Sequence, residues 1–123
     1  MDLSTIKPVE RTYEVTHPYT GKPTGLVLTL ACTHDERVKT AIRAANDHYL
    51  KSAGDKPSQK ELDDYDHSLM AAHITNIEFT GDANWKGKKP AYSNDLAREI
   101  CEVHVIKEQV VREVKKVKDF YKA

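Results

Sequence analysis

Asp63, Asp64, Asp66 and His67 crowd three carboxylates and an imidazole into five positions, the densest potential chemistry in the chain. Such a group could hold a hard divalent cation or supply a general base. A calcium loop, however, needs a glycine at its sharp turn and a terminal bidentate Glu, and this stretch has neither. Together with Glu61 the same carboxylates fall in the first turns of a predicted helix, where the helix dipole favours negative charge without any ligand. No metal is expected there.

The six histidines offer little more. His67 and His73 lie on different faces of a helix, and neither belongs to an HExxH pair. Cys32 is near His34, His48 is beside Tyr49 and His104 sits between valines, but none has the neighbours of a nucleophilic triad. There is no glycine-rich phosphate loop, GxSxG elbow, cysteine-rich ribbon or dinucleotide fingerprint. The residues therefore predict a binding protein, with no catalytic residue, metal or cofactor.

The elements that position these residues follow from periodicity. Residues 1–9 read as an extended N-terminal arm whose Leu3, Ile6 and Val9 could dock on the domain or a neighbour. Residues 10–123 read as a single helix-rich domain. Tyr13 and Val15 share one face of a strand, and Leu26 to Cys32 form a second strand. The link between them, HPYTGKPTG, predicts a long antiparallel hairpin loop. Thr33 with Glu36 predicts a capping box opening a helix with Val38, Ala41, Ile42, Ala45 and Tyr49 on its buried face, stopped at Gly54. Ser58 with Glu61 predicts a second box and a helix running toward Ile74 and Ile77, where ITNIEF fits helix and strand equally well.

Beyond Gly81 a polar loop carries the only tryptophan, Trp85, predicted to clamp the loop onto the flanking helices. Ser93 then caps a helix holding Leu96, Ala97, Ile100 and Cys101. Val103, Ile106, Val110, Val114, Val117 and Tyr121 continue the stripe, as either one long helix or two with a break near Glu102 to Val105, where β-branched residues crowd. The predicted fold is α+β and mostly helical: an N-terminal β-hairpin followed by a four- to five-helix body.

Composition limits the functional classes. A chain of 123 residues and 13.9 kDa can bury one real core but not two. Nineteen basic against nineteen acidic residues give a formal net charge of zero, so no global field draws it to nucleic acid or an anionic membrane. With no apolar run of membrane length and no signal peptide at Met1-Asp2-Leu3, the expected compartment is the cytosol. Cys32 and Cys101 are then expected as free thiols acting as small core residues.

The order of these features resembles that of small tail assembly chaperones of long-tailed bacteriophages and prophages. The likeness is carried by the His17 to Gly25 link, the central helical body, and the segment from Ile74 through Trp85, Gly87, Pro90 and Tyr92-Ser93 into a helix. The closing IKEQVVREVKKVKDF, which ends at Phe120, is similar as well, so the resemblance runs from about Arg11 to Phe120. The chain departs from the family in placing His17 where an acidic residue often precedes the proline, and in its lysines around Trp85.

The resemblance implies a non-enzymatic assembly factor in the host cytoplasm. Such a factor self-associates as a homo-oligomer and coats the tape measure protein while the tail tube polymerises. A minor structural virion protein of the tail or capsid is the alternative. On the C-terminal stripe, whose extent exceeds what one small domain easily covers, Val110, Val114, Val117 and Phe120 are the expected adhesive positions. The loop from Pro18 through Tyr19 to Gly25 is the expected second contact.

Overall fold

Along β2 (Pro23–Leu30) Leu26, Leu28 and Leu30 alternate with Gly25, Val27 and Thr29, so the pleat sends the three leucines to one side, where all are buried. β1 (Arg11–Thr16) lies antiparallel to β2 with Tyr13 opposite Leu28, forming the expected hairpin. The computed structural model describes residues 2–52, 54 and 56–121. A third strand, β3 (Ile74–Phe79), pairs antiparallel with the other edge of β2, giving the order β1-β2-β3.

Local chemistry explains why ITNIEF was ambiguous. Thr29 pairs with Asn76 but Leu30 with Ile74, so Thr75 is an extra residue bulged out of the ladder. That slip turns both Ile74 and Ile77 to the core, which a strict period of two forbids. Opposite the leucines, Thr12, Glu14, Asn76 and Glu78 form an exposed polar face.

The fold is α+β. Helices α1 (Glu36–Ser52) and α2 (Gln59–Ala71) separate β2 from β3, and α3 (Asn94–Cys101) and α4 (His104–Val114) follow β3. Short 3-10 turns span Leu3–Thr5 and Val117–Tyr121. The expectation of a hairpin followed by a four- to five-helix body holds in part: the hairpin and the helices form, but the helices are not one uninterrupted body. The third strand divides the helices into two pairs, and the C-terminal stripe ends as a 3-10 turn.

Helix boundaries follow side-chain capping. Ser58 and Glu61 form the expected reciprocal box at α2, and the Ser93 hydroxyl accepts the Leu96 amide at 3.0 Å to start α3. The break falls at Glu102 and Val103, the second of the two arrangements the sequence allowed. At α1 the expected Thr33 and Glu36 box does not form. The Thr33 hydroxyl lies 3.3 Å from His73 Nε2, while the Asp35 carboxylate accepts the Arg37 amide at 2.9 Å, so the helix begins at Glu36.

The inward side of the sheet shares one continuous core with Leu96, Ala97, Ile100 and Cys101 of α3, Val110 and Val114 of α4, and Phe120. Helix α1 is more peripheral than its pattern predicts: only Val38 is buried, and Ile42, Ala45 and Tyr49 are half-buried. It docks on α2 partly by stacking Tyr49 on Tyr65, with ring centroids 4.5 Å apart. The N-terminal arm is pinned at its root, where the Val9 amide donates to the Phe120 carbonyl at 2.6 Å, and leaves Leu3 and Ile6 exposed.

Candidate functional site

Three separate stretches of sequence meet around an apolar groove of about 240 Å³. The hairpin loop supplies His17 and Pro18, the tryptophan loop supplies Ala83, Asn84 and Trp85, and the start of α4 supplies Val105 and Ile106, with Val103 just before it. Val15, Leu26 and Phe79 of the sheet also line it.

The hairpin loop is held by its own polar groups. His17 Nδ1 accepts the amides of Tyr19 and Thr20 at 3.1 and 3.3 Å, and the His17 carbonyl accepts the Gly21 amide at 2.8 Å. This fold leaves Tyr19 projecting, 91% exposed. Gly25 serves a different end from the contact expected of it. At φ +87° it brings its backbone so close to Thr80 that a Cβ would meet the Thr80 carbonyl oxygen at 2.4 Å. The Gly25 carbonyl accepts both the Thr80 amide and hydroxyl at 2.8 Å, tying the hairpin to the end of β3.

Trp85 stands on a miniature hairpin. Trp85 and Lys88 exchange backbone hydrogen bonds of 2.7 and 3.1 Å around Lys86 (φ 54°) and Gly87 (φ 81°), two left-handed residues in succession as a type I′ turn requires. The half-buried indole packs on the core, and its Nε1 donates to Glu99 of α3 at 2.9 Å. Lys86 pairs with the same carboxylate. Hydrogen bonds from Lys86 and then Trp85 hold Glu99 below its ordinary carboxylate value.

The expected adhesive positions on the C-terminal stripe are largely redirected. Val110 and Phe120 are 0% exposed and Val114 is 8% exposed, all within the protein's own core. They are corrected from partner contacts to core residues, because α4 and the 3-10 turn pack directly on the sheet. Val117 alone of the four is exposed, near Tyr121. Among the described residues the exposed large apolar side chains are instead Leu3, Ile6, Val9, Tyr19, Leu50, Leu62, Val103, Val117 and Tyr121.

The acidic stretch of α2 disperses in space. Asp63 accepts Gln59 Nε2 at 2.8 Å, while Asp66 reaches across to Lys107 of α4. Asp64 turns into a polar cleft of about 570 Å³ between α1, α2 and α3, with His67 and Glu102. Sequence reasoning missed Glu102, which the α3–α4 corner delivers to the other two.

His48 lines this same cleft, whereas His73 and His104 lie apart from it. His73 is buried; burial pushes it below its ordinary value, against hydrogen bonds at Leu69 and Met70 that act in the opposite sense. His104 pairs with Glu108 at 2.9 Å on the surface of α4. Both cysteines are free and buried, as expected, and burial pushes the Cys101 thiol up to about 12, suiting an inert core residue. Among the described residues no helix is long and apolar enough to cross a membrane.

No protein family, curated protein or solved structure matches the chain.

Proposed function

We propose that the protein is a non-enzymatic tail assembly chaperone of a long-tailed phage or prophage, which holds apolar helical segments of a tape measure protein in this groove. The observation that carries the reading is convergence. The hairpin link, the tryptophan segment and the beginning of the IKEQ stretch, which carry the family resemblance separately in sequence, all line the same apolar groove.

An amphipathic helix presenting aliphatic side chains at successive turns suits such a groove, since burying them removes apolar surface from water without requiring chemistry. Exposed Tyr19 and Val103 extend the apolar surface beyond it. Self-association is assigned to the exposed apolar side chains of the arm, Leu3, Ile6 and Val9, with Val117 and Tyr121.

Co-expression with the tape measure protein encoded nearby tests the proposal. Wild type should keep that partner soluble and co-purify with it. Val103→Asp puts a carboxylate in the groove at a 38% exposed position, so it should abolish co-purification with little change in thermal midpoint. Val114→Asp should instead unfold the protein, since its side chain lies in the core. Full activity of Val103→Asp would exclude the groove, and a monomeric wild type that leaves the partner insoluble would exclude the chaperone reading.

A further inference from the structure

We infer that Asp64, His67 and Glu102 form a binding site for a divalent transition cation of the zinc type. One ligand atom from each side chain lies within 4.8 Å of the others. Asp64 and His67 are three residues apart on α2, which places them on the same helix face, and Glu102 reaches them from the end of α3. A tetrahedral zinc with bonds of about 2.0–2.2 Å needs its ligand atoms roughly 3.3 Å apart.

A second observation concerns the imidazole. His67 Nδ1 is shut off from water and has no hydrogen-bond partner, a costly condition for a ring nitrogen. No bond on that nitrogen opposes rotation of the ring onto a cation. One imidazole and two carboxylates form a mixed set suited to zinc and its neighbours, and three protein ligands leave a fourth position to water. The competing cations are Lys60, whose ammonium lies 2.9 Å from Asp64 Oδ2, and Lys86 and Arg98, which line the same cleft. Lys60 is 84% exposed and the pair is a surface one, so a metal displaces it readily.

Such a cation would tie α2 to the α3–α4 corner, one residue from Val103 at the groove. The site does not rest on the chaperone reading and is tested without any partner. Untagged full-length protein is titrated calorimetrically with zinc, and with cobalt to read tetrahedral coordination from its visible absorption. One zinc per chain is expected, with affinity lowered at least tenfold in His67→Ala and in Glu102→Gln and unchanged in Asp63→Asn. Circular dichroism verifies that the variants fold, and the exposed Glu102 provides the readout if His67→Ala does not. Absence of saturable binding, or binding of wild-type strength in folded Glu102→Gln, would overturn the site.

Discussion

The side-chain amide of Gln109 closes both backbone groups of Thr16: its Oε1 accepts the Thr16 amide at 3.0 Å and its Nε2 donates to the Thr16 carbonyl at 2.9 Å. Helix α4 thereby supplies one residue's worth of strand pairing to the outer edge of β1. The same Oε1 accepts the Tyr13 hydroxyl at 2.7 Å. An edge strand otherwise presents unpaired groups to water or to another chain, so the contact both fastens α4 and protects the edge.

Gln109→Leu should therefore destabilise more than its small change in size suggests. Buried polar groups left unpaired cost about 1–3 kcal/mol each, but half-buried Thr16 regains some hydration, so a loss of about 2–3 kcal/mol is expected. Urea unfolding checks it. Stability equal to wild type would show that the amide clasp contributes nothing.

Trp85 joins its loop to the core by packing and to α3 through Glu99, so it should report folding of both. Its emission should lie to the blue of a solvated indole and move to the red on unfolding. Trp85→Ala should cost about 2–3 kcal/mol, below the roughly 3–5 kcal/mol of a fully buried aromatic, because part of the ring already meets water. Trp85→Phe retains most of the packing and should lose about 1 kcal/mol with the Nε1 hydrogen bond. Chemical denaturation of the two variants separates the contributions.

The features legible in sequence were those governed by local chemistry. Ser58 with Glu61 and Ser93 mark helix starts because a hydroxyl three residues ahead of a free amide satisfies it whatever lies elsewhere. The hairpin was legible for similar reasons, whereas crowded β-branched residues made a break near Glu102 to Val105 one of two arrangements without choosing it. Thr33 misled because a distant group, His73, engages its hydroxyl. β3 was undecidable because the Thr75 bulge breaks the alternation that identifies a strand. The valine stripe showed that α4 has an apolar face but not that the sheet covers it. For the proposed cation site, Asp64 and His67 lie in the acidic stretch where the sequence predicted no metal, and Glu102 arrives only through the tertiary fold. Gln109 and Glu113 left a usable signal, two polar residues one helical turn apart beside the core positions Val110 and Val114.

Acid should destabilise the protein in two stages, through His73 and then Glu113. Burial keeps the folded-state value of His73 below 6.5, so its contribution is present above that value and is lost as pH falls and the buried ring must charge. Glu113 is also buried, which pushes its carboxyl up, yet hydrogen bonds from Lys116, Arg112 and Arg11 together outweigh this and hold it at about 2. Its ordinary value is 4.5, so the contribution is complete above that pH and lost progressively as pH falls toward about 2. The Arg11 guanidinium also donates to the Glu113 backbone carbonyl at 2.8 Å, so loss of the carboxylate weakens the bond between β1 and α4. Urea midpoints measured across pH 7 to about 2 should show a shallow decline below about 6.5 and a steeper one below about 4.5. Glu113→Gln should be less stable at neutral pH and should flatten the lower decline. An unchanged slope there would mean that the Glu113 carboxylate does not couple protonation to the fold.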